Sequence, residues 1–299
     1  MELYFKLIEV LFPVFFVIGI GYWYGKKDSK FDTKFITTLS ANIGLPCIIF
    51  YSLTTSNVDI SVFLRFLYYI FLYVLLFAII GILILKILKK DIYRLLPPLI
   101  LPNSGNMGLP ICLFAYGKTG LAIGAAITSV IIVLHFSLNI LLASRKFSYK
   151  PLINCTSIYA LIVSLFFVYF KIPIPRFIEN TTFLISYSSI FLVLMSLGIA
   201  LANLKIFSFK DSLIFSFTRI IIGPLIGFTF VKFFNLTGIE AGVMFIQTSM
   251  PSAVLTYLIA RMYSSKKIID NIASTVVVST FLSFITVPIV VFLSLKYFG

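Results

Sequence analysis

The chain has 299 residues, of which 60% are hydrophobic and 11% are charged, and its mean hydropathy is +1.09. Soluble domains are about half apolar and about a quarter charged, so this composition excludes a soluble globular protein. The formal net charge is +14, and its distribution along the chain indicates membrane topology and not nucleic-acid binding.

Apolar stretches long enough to cross a bilayer follow one another along the whole chain. Ten spans are predicted, joined by short loops that leave no room for a soluble domain or a long linker. They lie near residues 7–24, 34–55, 62–88, 93–116, 119–142, 152–171, 181–203, 211–234, 239–263 and 268–296. We therefore predict an all-α, multi-pass protein of the cell membrane.

Lysine and arginine alternate between loops that are rich in them and loops that are poor. Of the 24 cations, 16 lie in rich loops, 7 lie in poor loops, and Arg219 lies inside a span. The rich set is Lys26, Lys27, Lys30, Lys34, Lys86, Lys89, Lys90, Arg94, Arg145, Lys146, Lys150, Lys205, Lys210, Arg261, Lys266 and Lys267. Because rich loops stay in the cytoplasm, both termini are predicted to lie outside the cell.

Span four is broken in its middle by residues that do not suit a continuous helix. These are the helix-breaking candidates Pro102, Gly105, Gly108 and Pro110, together with Asn103 and Asn106. An unpaired backbone group in hydrocarbon costs several kcal/mol, so a broken span must face buried protein or a water-filled cavity. Secondary transporters often build their substrate sites from such helices.

Span five contains the one histidine of the sequence, His135. An ionisable residue inside a span is a candidate for lining a substrate site, although a neutral histidine can equally bridge two helices. No acidic residue lies in the middle of a span, so exchange of protons for cations is not expected. Sodium bound by backbone carbonyls is left open.

Span nine carries a second polar interruption and is the predicted partner of span four. Its candidate site residues are Gln247, Ser249 and Ser252, and its helix break is predicted at Pro251. The N-termini of two opened helices would present free N–H groups and positive dipole ends, which suit a carboxylate. Asn103 and Asn106 could add donors, but asparagine and serine can also simply cap the broken ends.

The two halves of the chain, residues 1–147 and 148–299, resemble copies of one unit. Pro102 and Pro251 are separated by 149 residues, Tyr116 and Tyr263 by 147. Each half has an odd number of spans, so the second copy must insert in the opposite orientation. An inverted repeat of two five-helix units is predicted. Spans four and nine are predicted to be non-helical near residues 103–108 and 247–252 and to cross near the midplane.

Enzyme motifs are absent from the sequence. One histidine cannot form HExxH or a three-histidine zinc site, and no Gly-x-Ser-x-Gly occurs. Gly117-Lys118-Thr119 resembles the end of a P-loop, but Cys112 stands where the first glycine is required. We therefore expect neither an enzyme nor a resident cofactor.

Several motifs together resemble the auxin efflux carrier family. They are residues 42–50 (NIGLPCIIF), 102–110 (PNSGNMGLP) with Tyr116-Gly117, Met250-Pro251 with residues 260–263 (ARMY), and Ser279-Thr280 with Pro288. The family includes plant auxin exporters and prokaryotic malate or malonate permease-like proteins. The resemblance covers essentially the whole chain.

The resemblance implies a scaffold of spans one, two, six and seven and a transport domain of spans three to five and eight to ten. It also implies a carrier that moves a small organic anion, an auxin-like carboxylate or a dicarboxylate, by elevator-like alternating access across the lipid bilayer. A sodium-coupled symporter and a ligand-gated sensor or channel are the alternatives. A homodimer through the scaffold helices is left open, and nucleic acid is not an expected partner.

Overall fold

The computed structural model describes residues 1–28, 34–56, 58–204 and 206–299. Asn57, which the predicted repeat pairs with Asn203, and the cations Lys30 and Lys205 lie outside the described residues. The described part is almost entirely helical, without strands. The all-α prediction is confirmed.

Fifteen α-helices and four π-helical turns make up the described chain. The helices are α1 (Glu2–Lys27), α2 (Lys34–Leu39), α3 (Leu45–Thr55), α4 (Ile60–Ile87), α5 (Ile92–Ile100), α6 (Leu109–Leu134), α7 (Ile140–Ser144), α8 (Lys150–Ile153), α9 (Thr156–Tyr169), α10 (Arg176–Asn203), α11 (Phe209–Phe217), α12 (Gly223–Phe233), α13 (Gly238–Thr248), α14 (Val254–Tyr263) and α15 (Lys266–Phe298). The π-helical turns are Ser40–Gly44, Ser104–Gly108, His135–Asn139 and Thr218–Ile222.

Seven helical segments of the described chain are long and apolar enough to cross a membrane, by length and composition. They are Glu2–Lys27, Phe35–Thr55, Ile60–Ile87, Ser104–Ser144, Arg176–Asn203, Phe209–Phe233 and Lys266–Phe298. Two shorter apolar helices, Thr156–Tyr169 and Val254–Tyr263, correspond to predicted spans six and nine. The count falls below ten because Pro251 divides span nine, because the helix of span six has only 14 residues, and because Ser104–Ser144 joins the end of span four to span five.

The segment Ser104–Ser144 is not one straight helix. Gly117 has φ 64° and ψ −151°, a backbone conformation that glycine adopts without steric cost. A Cβ atom on Gly124 would lie 3.3 Å from Leu109 and 3.4 Å from Cys112. In a straight helix Leu109 and Gly124 would be roughly 22 Å apart. The chain therefore folds back on itself at Gly117.

Small residues let α1 and α10 approach closely. A Cβ on Gly21 would overlap the Met195 carbonyl, and a Cβ on Gly198 would overlap the Ile18 carbonyl. Such glycine contacts are typical of membrane helices, which gain van der Waals packing when their backbones come close. Large apolar side chains instead cover the outer surface, for example Phe12 and Phe16 on α1 and Leu64, Tyr68 and Phe71 on α4.

Candidate functional site

Two short segments leave helical geometry in the interior of the protein and lie against each other. Residues 101–103 separate α5 from the π-turn that begins α6, and residues 249–253 separate α13 from α14. The Asn103 amide donates to the Pro251 carbonyl over 2.8 Å, and the Ala253 amide donates to the Leu101 carbonyl over 3.2 Å. The pair is antiparallel, and we call these two segments the crossover.

A proline causes each break. Leu101, which precedes Pro102, has φ −98° and ψ 112°, because a proline ring disfavours helical geometry in the residue before it. Pro102 and Pro251 also lack an N–H to donate. Proline therefore fixes where each half-helix ends.

The breaks are shorter than the sequence predicts and slightly displaced. The interruption was predicted over residues 103–108, yet Gly105 and Gly108 belong to a π-turn. Pro110 directly follows this π-turn as the second residue of α6 and does not interrupt the helix. Gln247 was predicted inside the second break but belongs to α13, because Pro251 acts mainly on the residue before it.

Arg219 caps the carbonyl ends of both half-helices and was not identified as a site residue from the sequence. Its Nε donates to the Met250 carbonyl over 2.9 Å, and its Nη2 donates to the Thr248 carbonyl over 2.8 Å. Its Nη1 donates to the carbonyls of Leu99 and Ile100 over 3.3 and 3.4 Å. The carbonyls at the C-terminal end of a helix have no donor within the helix, and Arg219 supplies one to each of these four.

The Tyr73 hydroxyl completes this arrangement. It accepts from Arg219 Nη1 over 3.0 Å and donates to the Thr248 carbonyl over 3.0 Å. The Phe77 ring centroid lies 5.2 Å from the guanidinium carbon of Arg219. One cation, one hydroxyl and one ring therefore stabilise the C-terminal ends of both broken helices. The only available signal in the sequence was that Arg219 is a cation inside a span.

The N-terminal ends of the other half-helices border two cavities. The large cavity, of about 320 Å³, is lined by Gly105 and Asn106 from the π-turn and by Val254 and Leu255 from α14. A small cavity of about 80 Å³ lies behind it and shares Leu45, Gly105, Asn106 and Leu255 with it. The first N–H groups of a helix have no partner within the helix, so both N-termini offer donors at these cavities.

Three of the predicted substrate residues lie together at the small cavity: Asn103, Asn106 and His135. Asn103 is 4% exposed, and its Nδ2 donates to no group in the described structure. The hydroxyl of Thr128, which the sequence analysis did not single out, is likewise buried without a partner and lines the same cavity. Two unpartnered buried polar groups beside one small space favour a polar occupant.

His135 is buried and its Nδ1 lies 3.3 Å from Asn139 Nδ2. Both residues belong to a π-helical turn. π-Turns recur where helices carry function, and each of the four turns in this structure borders the crossover or a cavity. Irregular helical geometry is therefore concentrated around one region of the molecule.

Gln247, Ser249 and Ser252 do not line either cavity. The Ser252 hydroxyl donates to the Pro98 carbonyl over 2.7 Å, and the Ser249 hydroxyl donates to the Phe245 carbonyl over 2.6 Å. Gln247 is fully buried against Gly108. Ser249 and Ser252 are predicted site residues that the structure places away from both cavities, because backbone carbonyls freed by the break take up both serine hydroxyls.

The opposite wall of the large cavity comes from α2, its π-turn and α10, and the sequence analysis named none of these residues as site residues. Polar groups there are Thr37, Ser40, Ser196 and Asn203. The Thr37 and Ser196 hydroxyls lie 3.2 Å apart, whereas the Ser40 hydroxyl is buried without a partner in the described structure. Hydroxyls of this kind give no distinctive signal in a sequence.

Arg261, at the last turn of α14, also lines the large cavity. It is exposed, and its guanidinium carbon lies 5.9 Å from the Tyr257 ring centroid. In the sequence, Arg261 is distinguished only as one of the cations that determine topology. The cavity thus combines apolar walls with two helix N-termini, several hydroxyls and amides, and one cation at the cation-rich end of α14.

Comparisons with known proteins agree with a membrane transport protein. A family model described as membrane transport protein matches residues 6–152 and 139–291. An uncharacterized transporter of Methanocaldococcus jannaschii is 25% identical over 301 residues, which cover 94% of this chain and 97% of that protein.

Proposed function

The chain belongs to the membrane transport protein family, the auxin efflux carrier family, and on that premise we propose that it is a secondary carrier for a small organic anion. A multi-pass membrane protein follows from the family and from its apolar helices. We propose the substrate, the mechanism and the binding site from the geometry of the crossover and its cavities.

The direction of the four half-helix ends at the crossover carries this proposal. The N-terminal ends, at Ser104 and Val254, border the cavities, whereas the C-terminal ends contact Arg219. A helix N-terminus carries a partial positive charge and favours anions. Asn103 Nδ2, which is buried and has no partner in the part of the chain that the structure describes, supplies a further donor in the same place.

The shape of the two connected cavities suits an anion with a small charged head. We propose that a carboxylate enters the small cavity, where Asn103, Thr128 and His135 meet. The remainder of the substrate then lies in the large cavity among Leu45, Val193, Leu197 and other apolar side chains. A cavity of about 320 Å³ is at the lower end of the range for small-molecule sites.

We further propose that the chain crosses the membrane ten times, in two inverted repeats of five helices each. The reversal at Gly117 supports two crossings within Ser104–Ser144. The antiparallel contact between Pro102 and Ser252 supports opposite orientation of the two halves. We propose that α1, α2, α3, α9 and α10 form the scaffold and that the remaining helices move against it as the transport domain.

The position of the large cavity supports a state of the proposed carrier that faces the cytoplasm. Its walls include Asn203, at the end of α10, and Arg261, near the end of α14. The loops that follow are rich in cations and are predicted to be cytoplasmic. We propose that the cavity opens to the cytoplasm and that an elevator-like movement exposes it to the other side.

A binding screen on the purified protein tests the proposed substrate class. The unfolding temperature would be measured with monocarboxylates, dicarboxylates and their neutral amides at equal concentrations. We expect at least one carboxylate to raise the unfolding temperature in a saturable way while its amide does not. Stabilisation by an amide as strong as that by its acid would show that the site does not select an anion.

A further inference from the structure

Arg219 lies in the middle of an apolar span and has no exposed surface. Burial of an unpaired charge is very costly, so a buried arginine requires a compensating partner. Ion pairs in the described part of the chain join Arg65 to Glu240, Lys90 to Asp211 and Arg94 to Asp91. None of them includes Arg219.

The two helix C-termini supply the missing negative charge. Each carries about half a negative elementary charge on its free carbonyls. Leu99 and Ile100 belong to one end, Thr248 and Met250 to the other, and all four carbonyls accept from the guanidinium. Two half charges balance one positive charge, so the crossover is built around a single monovalent cation.

The packing holds the guanidinium against these carbonyls. A Cβ on Gly223 would lie 2.7 Å from the Thr248 carbonyl oxygen and 3.4 Å from the Arg219 guanidinium carbon. A glycine at this position therefore lets α12 come close to the end of α13. Tyr73 of α4, which is itself fully buried, also contacts the Arg219 guanidinium.

In sodium-coupled secondary transporters, the carbonyls of unwound segments and half-helix C-terminal ends coordinate the sodium ion. Here the same class of carbonyl already accepts hydrogen bonds from a protein side chain. A sodium ion ~4 Å from the guanidinium, at an effective dielectric constant of ~20, would bind on the order of a thousandfold more weakly than at the same carbonyls without it.

We propose that Arg219 is a resident cation, a positioning residue that takes the place of a coupling sodium ion, so that the carrier moves its substrate without sodium. The part of this inference that concerns transport without sodium rests on the proposed function. Its test requires no substrate anion, so it can fail while the anion site stands, and the anion site can fail while it stands.

The test combines sodium binding with chemical rescue on the purified full chain. Equilibrium binding of radioactive sodium and the unfolding temperature in sodium or choline chloride would be measured for the wild type, Arg219→Lys and Arg219→Ala. The exposed residue Arg176 provides a matched control, Arg176→Ala. Millimolar methylguanidinium is the rescuing cation, and methylurea is its neutral counterpart.

We expect no saturable sodium binding by the wild type or Arg219→Lys, and the same unfolding temperature in both salts. Arg219→Ala should unfold at a clearly lower temperature and regain at least half of the loss with methylguanidinium but not with methylurea. Arg176→Ala should show neither the loss nor the recovery. Rescue by the free cation separates a cation requirement from a simple loss of packing.

Saturable binding of about one sodium ion per wild-type chain would overturn the inference. So would a folded Arg219→Ala protein that methylguanidinium does not stabilise. If Arg219→Ala does not fold, the wild type and Arg219→Lys decide the question. Saturable sodium binding by either protein would contradict the proposal that Arg219 takes the place of a sodium ion.

Discussion

Asn103 is the residue at which the break and the proposed site coincide. Its main-chain amide fixes the crossover by donating to Pro251, while its side-chain Nδ2 has no hydrogen-bond partner among the described residues and lies at the small cavity. Its backbone and side chain therefore have separable roles. Substitutions at Asn103 can change the side chain without removing the hydrogen bond that holds the two segments together.

We predict that Asn103→Asp abolishes anion binding. Two negative charges ~4 Å apart at an effective dielectric constant of ~20 repel by about 4 kcal/mol. Asn103→Ala should weaken binding less, by about 1.5–3 kcal/mol, the contribution of a hydrogen bond to a charged group. Calorimetric titration of the purified variants with the best carboxylate measures both effects, and equal affinities for wild type and Asn103→Asp would place the anion elsewhere.

Ser249 and Ser252 show why sequence alone could not separate ligand-binding from capping roles at the crossover. Both are polar residues in an apolar span, as Asn103 is, and the pattern is the same for all three. What distinguishes them is which carbonyl lies within reach: Phe245 for Ser249 and Pro98, 154 residues away in sequence, for Ser252. That information is tertiary.

At the scale of the helices, the position of each break could be predicted and its surroundings could not. A proline disrupts the helix in which it stands, so the positions of Pro102 and Pro251 predict the two breaks from the sequence alone. Arg219 contacts Leu99 across 120 residues of chain. No local pattern shows that its helix packs against both carbonyl ends, and the sequence analysis therefore treated it only as the exception to the charge rule.

The contact between α1 and α10 gives a prediction with a control on the same helix. A Cβ on Gly21 would overlap the main chain of Met195, which cannot move aside as a side chain could, whereas a Cβ on Gly19 would meet no neighbouring atom of the described residues within 4 Å outside its own helix backbone. We expect Gly21→Ala to cost about 1–3 kcal/mol through overpacking. Gly19→Ala should be neutral or stabilise the helix by about 0.5–1 kcal/mol.

Unfolding temperatures of the two purified variants check this prediction. A loss in Gly21→Ala alone would support close packing of α1 on α10, the contact on which the proposed scaffold depends. Equal unfolding temperatures for the two variants would show that the backbones of these helices do not approach as closely as the structure has them.

At the scale of the whole molecule, orientation in the membrane depends on the charge of the loops. The cation-rich loops carry 16 lysines and arginines and the cation-poor loops carry 7. This difference predicts that both termini lie outside the cell. We expect an impermeant maleimide to label Gly299→Cys in intact cells and Ser148→Cys only after permeabilisation. The background would carry serine in place of Cys47, Cys112 and Cys155. Reversed labelling would contradict the predicted orientation and the cytoplasmic opening of the large cavity.

The central claim is that the chain carries an organic anion by alternating access through the site at the crossover. Counterflow in proteoliposomes tests it most directly, with the best carboxylate of the binding screen inside and a trace of the labelled compound outside. Saturable uptake of the label, accelerated by the internal anion and lost in Asn103→Asp, is the predicted result. Uptake that does not saturate and ignores the internal anion, or that is unchanged in Asn103→Asp, would contradict the account.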